Sequence, residues 1–446
     1  MKRLGGFVAR WYFAFVLALW VLSPELRRLV DWETSFHKVS LFSILPLVAM
    51  LPGVFYLVSR WRAMGDLYRK VGAFWLVGFG YAFIIALAAG SRVSALYDAL
   101  TFLLPVVFGV FLAAQASDAR TVCERLSRTL LWLAAATSAY AVYQYVSPPP
   151  WDVYWVQNAD LASIGQPIPF GLRVFGTLNS YGTFAQFVSL SMVFNLPRLR
   201  WPQWKTVCLY VPCALALVLT LDRTSWLALA IGCAVYVMAS PERSRAVWAL
   251  VSIAVFCSAV GGGLLAVTQG SSDVTSIIQQ RFSSLGDLSE DSSVASRQQQ
   301  TSEALHDGLA EPLGQGLGQI GTASVAGSSG STNTLDNGYL ARFVELGLVG
   351  FAAYLVAICL AFAGTFSTYR SSLRAPQAGV SNVLAMTLAV QTMFLVIETS
   401  TDTHNSFLGV IFWSTLLVAS RLKASVSAGR PARAGMAFEM RPAAAS

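Results

Sequence analysis

Three short segments hold the residues best suited to chemistry. Arg173 lies in Gly171-Leu172-Arg173-Val174-Phe175-Gly176-Thr177-Leu178-Asn179, and Arg223 in Asp222-Arg223-Thr224-Ser225. Asp336 lies in Thr334-Leu335-Asp336-Asn337-Gly338-Tyr339-Leu340. A guanidinium stays charged and presents a fixed fork of donors to phosphate oxygens. Two such forks at one lipid–water boundary would suit a lipid-linked diphosphate, whose negative charge must be stabilised as it departs. The alternative pairs Arg223 with Asp222 and leaves Arg173 as an interfacial anchor. Asp336 has the chemistry of a general base, and equally that of an N-cap for the helix that follows.

Other residues stand near these three in the sequence. Glu345 follows Asp336 by a few helical turns, where it would face the interior of a bundle. Arg281 and Arg297 could touch sugar or phosphate, with a solvated loop charge as the alternative. His404, in Asp402-Thr403-His404-Asn405, opens the last apolar run and would line a site, cap the helix or sit at the interface. His37 and His306 read as loop residues. The acidic run Asp287–Asp291 lacks the spaced ligand pattern of a calcium loop and reads as a solvated turn. Gly314-Gln315-Gly316-Leu317-Gly318 looks like a dinucleotide fingerprint, but it follows no strand, so that reading is rejected.

The elements that must position these residues are transmembrane helices. Of 446 residues, 55% are hydrophobic and only 12% charged, with mean hydropathy +0.57. That is too apolar for a soluble protein of this size. Apolar runs recur at about 4–22, 39–59, 71–90, 95–114, 129–146, 181–196, 206–221, 225–239, 246–268, 344–366, 379–397 and 405–420, each near the length a bilayer requires. Those at 95–114 and 181–196 are the weakest. The expectation is an all-α integral membrane protein of about twelve transmembrane helices, with a large loop between helices 9 and 10.

Charge sets the orientation. With the N-terminus inside, the inside segments hold 22 of the 31 basic residues and 5 of the 23 acidic ones. This is the asymmetry of the positive-inside rule, and moving the parity by one helix would destroy it. The net charge of +8 is therefore spread over short loops instead of forming a nucleic-acid surface. Residues 1–423 read as one polytopic domain with outside loops at about 147–180 and 269–343, the second carrying a helix near 292–309 on which Leu305 packs. Residues 424–446 read as a disordered inside tail. Met-Lys-Arg at the start opens the first helix, with no cleavage site that would mark a signal peptide. The six cysteines lie in or beside apolar runs without metal-ligand spacing, so neither a disulfide framework nor a metal site is expected. No nucleotide-binding motif is present, which argues against ATP-driven chemistry.

These segments resemble the O-antigen ligase/polymerase superfamily. The resemblance rests on Pro24-Glu25-Leu26-Arg27-Arg28-Leu29-Val30-Asp31, Arg173–Asn179 and Asp222-Arg223-Thr224-Ser225-Trp226. It continues through Ser296-Arg297, Glu311–Gly318, Asp336–Leu340 and Glu345-Leu346-Gly347-Leu348-Val349-Gly350. It implies a metal-independent, cofactor-free, GT-C-like glycosyltransferase of the bacterial inner membrane, both termini cytoplasmic and the active site facing the periplasm. Its substrates would be an undecaprenyl-diphosphate-linked oligosaccharide and a glycan acceptor, with the bilayer and other polysaccharide-assembly proteins as partners. Arg173 and Arg223 would bind the diphosphate, with Arg297, Asn337, Glu345 and His404 in support. Ligases carry a histidine before the family's asparagine as the base. Asp336 stands in that place here, which tilts the expectation towards a polymerase of O-antigen or exopolysaccharide units over a ligase acting on lipid A-core or a protein O-oligosaccharyltransferase. A lipid-linked sugar transporter or flippase would need ionisable groups near the bilayer midplane and paired broken helices, and the runs show few such groups and no inverted repeat.

Overall fold

Apolar runs become helices because a backbone surrounded by hydrocarbon finds hydrogen-bond partners only within its own helix. The computed structural model describes residues 2–37, 40–115, 119–159, 162–198, 204–243, 292–326, 335–374 and 378–427, with residues 247 and 251. Among these the chain is helical, with one isolated bridge between Gly165 and Leu172. The helices are α1 (Lys2–Glu33), α2 (Asp66–Ala88), α3 (Arg92–Gln115), α4 (Ala119–Val146), α5 (Pro150–Asn158) and α6 (Tyr181–Asn195). They continue with α7 (Trp204–Leu219), α8 (Arg223–Ala239), α9 (Ser292–Ala310), α10 (Gly338–Arg374), α11 (Ala378–Ile397) and α12 (Ser406–Ser427).

Eleven of the twelve expected runs coincide with helical segments. The remaining run, about 246–268, lies outside the described residues apart from 247 and 251, as do Arg281, the 287–291 acidic run and the tail from residue 428. Among the described residues, six segments are by length and composition long and apolar enough to cross a membrane: Leu41–Met64, Asp66–Ala88, Arg92–Ala114, Gly338–Arg374, Gly379–Ile397 and Ser406–Lys423. The second of the runs expected to be weak, 181–196, yields the short α6; the first, 95–114, is one of the six.

Three expectations are corrected. The run at 39–59 is a chain of short α and 3-10 pieces from Leu41 to Met64, because Pro46 and Pro52 remove backbone donors. Leu305 does not pack; it is 42% exposed, and Ala304 and Gly308 face the bundle instead. The helix of α12 runs on to Ser427, past the expected start of the tail.

α11 and α12 form the centre: 83% of each apolar window is buried, against 22% for Leu41–Met64. Around them Trp75, Phe79, Phe102, Tyr354, Phe394, Phe412 and Trp413 build an aromatic core, with Phe79 and Phe102 stacked at 4.3 Å and Trp75 edge-on to Trp413 at 5.5 Å. Such pairs contribute about 0.5–1.5 kcal/mol each beyond burial. α2 and α10 cross closely at Gly78, where a Cβ would stand 2.9 Å from the Gly350 carbonyl oxygen.

The bundle has two chemically different ends. At one, Met64 O accepts from Ser420, Ser240 donates to Asn382 and Arg421 donates to Ala113 O at 2.7 Å. The other end gathers buried acids: Glu25, Asp98, Asp152, Asp222, Glu345, Glu398 and Asp402. This acidic end carries every described residue that the sequence marks for chemistry.

Candidate functional site

The segment of Arg173 is fixed by a second arginine. Arg28, fully buried near the end of α1, donates from Nη1 to Leu178 O at 2.6 Å and from Nη2 to Gly176 O at 2.8 Å. Its Nε lies 2.8 Å from Asp152 Oδ1 on α5, Glu25 pairs with Nη2, and the Phe175 ring lies 4.8 Å from its carbon centre. Gln144 reinforces the arrangement by donating to Asp152 Oδ2 at 2.6 Å and accepting from Phe175 N–H and Gly176 N–H. Gly176 has φ +56, and a Cβ there would stand 2.7 Å from Thr137 Oγ1, so only glycine fits. Burial pushes the Asp152 carboxyl up, against the pull of the Arg28 charge.

This cradle leaves Arg173 half-buried, its guanidinium 5.1 Å from the Tyr181 ring. Its charge reaches Asp222, the residue before Arg223. Burial pushes the Asp222 carboxyl up; the Ser225 hydroxyl at 2.5 Å, the Thr224 and Ser225 N–H groups and Arg173 oppose that. Arg223 is exposed at the first turn of α8. Arg173 thus lies within electrostatic range of the Asp222 carboxyl, one position before Arg223.

Asp336 belongs to an adjoining neighbourhood. It is exposed, and the cap of α10 is its neighbour: Asn337 Oδ1 accepts from Leu340 N–H at 3.2 Å. Asn337 thus supplies a side-chain cap to α10. Gly338 N–H donates to Glu398 O at 2.9 Å, tying the start of α10 to the turn after α11. α8 and α11 run antiparallel, since Ser240 meets Asn382 and Gly232 meets Met393. That register carries Arg223 to the level of the Glu398–Asp402 turn.

His404 is neither a cap nor interfacial. It is fully buried, with Nδ1 2.9 Å from Glu398 Oε2 and its ring edge-on to Phe412 at 4.7 Å. Glu398 also accepts from Tyr354 at 3.0 Å and from the Thr403 N–H and hydroxyl. Arg297 lies on α9, which packs against α10 through Ala304 and Gly308.

Sequence reasoning gave too little weight to Arg342. This guanidinium lies 2.5 Å from Glu345 Oε2, 3.0 Å from Asp402 Oδ2 and 3.9 Å from Asp98 Oδ2, over the Phe102 ring at 4.5 Å. Asp98, a carboxylate inside an apolar helix, was the available signal. Burial pushes the Asp402 carboxyl up to about 7, against the charge of Arg342. Among the described residues, no group of three or more His, Cys, Asp or Glu has the geometry to hold a metal ion.

Residues 208–355 match the family model described as O-antigen ligase. Over that stretch the chain is similar to O-antigen ligases, which supports the resemblance to the O-antigen ligase/polymerase superfamily. No curated protein matches it. The O-antigen ligase match takes in Arg223, Arg297, Asp336, Asn337, Arg342 and Glu345, whereas Arg28, Arg173 and His404 lie outside it. Six membrane-length apolar segments among the described residues, with that match, make the chain a multi-pass membrane protein.

Proposed function

We propose that the protein transfers glycan from an undecaprenyl-diphosphate-linked donor at the periplasmic face of the inner membrane, polymerising repeat units of O-antigen or exopolysaccharide. Arg173 and Arg223 carry this reading, with Arg173 within electrostatic range of the Asp222 carboxyl next to Arg223. The O-antigen ligase match over residues 208–355 supports it, and the distribution of Lys and Arg supports cytoplasmic termini with the acidic end outward. Asp336 takes the proton of the acceptor hydroxyl. The freed oxygen attacks the anomeric carbon as the bond to the diphosphate breaks. The diphosphate leaves with the bonding pair, and Arg173 and Arg223 stabilise its charge. The reaction needs neither metal nor cofactor.

The test is Arg223→Lys in a deletion strain. It keeps the charge but loses the fork, so polymer output falls sharply; near-normal polymer length would exclude the role. The similarity of residues 208–355 to O-antigen ligases favours a second reading, transfer of finished glycan to lipid A-core. Deletion separates the two: single repeat units on the core mark a lost polymerase, and undecaprenyl-linked polymer a lost ligase.

A further inference from the structure

We propose that the break in α10 at Gly347 is a positioning device for the transfer reaction, and that Arg342 and Glu345 are its positioning residues; this rests on the function proposed above. α10 is not one rod. Gly347 adopts φ 62 and ψ −175, which separates a stub, 338–346, from the long helix that follows. Interrupted backbone inside an apolar bundle persists only where other protein groups satisfy it. Here a stretch of the outer loop does so. Leu348 N–H donates to Pro312 O at 2.9 Å, and Gln315 N–H and Gly316 N–H donate to Val344 O and Glu345 O, each at 3.0 Å.

The glycines of the 314–318 segment exist for this insertion. Gly314, Gly316 and Gly318 have φ +84, +85 and +85, and Cβ atoms there would stand 2.5 Å from Gly347 N, Ala86 N and Ser94 C. Their N–H groups cradle no phosphate. Glu345 Oε1 accepts from Gly318, Gln319 and Ile320 N–H at 3.2, 3.1 and 3.0 Å, and Asp98 Oδ2 also accepts from Gly318 N–H at 3.2 Å. Arg342 then pairs with Glu345 and Asp402 and lies within 3.9 Å of Asp98.

The consequence concerns Asp336. It and Asn337 directly precede the stub, and the stub is gripped at both ends: Gly338 N–H by Glu398 O, and the last turn by the Arg342–Glu345 lattice. Its placement is therefore decided by α3, the loop and the turn before α12. Glu345 acts on the reaction through the stub, without touching substrate.

The experiment uses the full chain in nanodiscs, with an undecaprenyl-diphosphate-linked repeat unit as donor. Turnover and amide hydrogen exchange over residues 314–320 are measured for wild type, Glu345→Ala and the near-isosteric Glu345→Gln. Glu345→Ala should lower kcat roughly ten- to a hundred-fold, the scale of a slight misplacement. KM for the donor should stay within about twofold, because Arg173 and Arg223 are held by other residues. Exchange at Gly318–Ile320 should rise. Glu345→Gln keeps an oxygen for the three N–H groups and should restore protection and part of kcat. Unchanged exchange in Glu345→Ala, unchanged kcat, or a rise in KM equal to the loss in kcat would overturn the inference. A wild type that transfers nothing from such a donor defeats the functional reading instead, and the exchange comparison still decides the latch.

Discussion

Two buried arginines organise the acidic end, and they do so in opposite ways. Arg28 donates directly to the carbonyls of Gly176 and Leu178, so it holds the Arg173 segment with its own hydrogen bonds. Arg342 meets carboxylates, and two of these, Glu345 and Asp98, accept the N–H groups of residues 318–320. The difference follows from donor chemistry. A guanidinium has no acceptor, so it can grip a carbonyl itself but needs an anion as adaptor to grip an N–H. One region is a direct clamp, the other a relay through acids.

The largest expected effect tests the relay. Arg342→Met strips the cation from three buried carboxylates and should cost about 3–5 kcal/mol, read from thermal unfolding in detergent. A loss too small to detect would mean that water, and not Arg342, balances those acids. The next test contrasts the two sites by charge-conserving replacement. Arg28→Lys should cost about 2–3 kcal/mol, because one ammonium cannot span two carbonyls and two carboxylates. Arg342→Lys, facing only carboxylates, should lose less; the reverse order would break the comparison.

Smaller effects sharpen it. Asn337→Ala removes the cap of the stub and should cost about 1 kcal/mol, with Asp336→Ala costing less. Equal losses would return the cap to Asp336. Finally, Asp402 titrates at about 7, above the ordinary 3.8. A raised value favours the protonated form in the folded protein. Its stabilisation is therefore complete below the usual carboxylate range and is lost as pH climbs through about 7. Asp402→Asn should flatten that part of the melting-temperature profile, and an unaltered slope would show that another group titrates there.

Much of this was legible in the chain. Apolar length placed most of the helices, and the Lys and Arg distribution grouped Arg173, Arg223 and Asp336 on one side, because bilayer thickness and charge bias act on local sequence. The burial of His404 was not legible, because a histidine beside an apolar run fits a site, a cap or the interface until its packing against Phe412 and Glu398 is seen. The Gly314–Gly318 pattern was refused as a nucleotide cradle because it follows no strand, yet its packing was invisible, since the partners of the Gly318 N–H lie on α3 and α10.

The sequence by itself determined the helical class and the uneven distribution of charge between the segments that join the apolar runs. Only tertiary structure decided that Arg28 holds the Arg173 segment from 150 positions away, that Asn337 caps while Asp336 stands exposed, and that a loop interrupts α10. The physical reason is reach. Hydropathy, charge bias and propensity act over a few turns of chain, whereas a buried charge is satisfied by whichever distant groups the packed bundle brings to it.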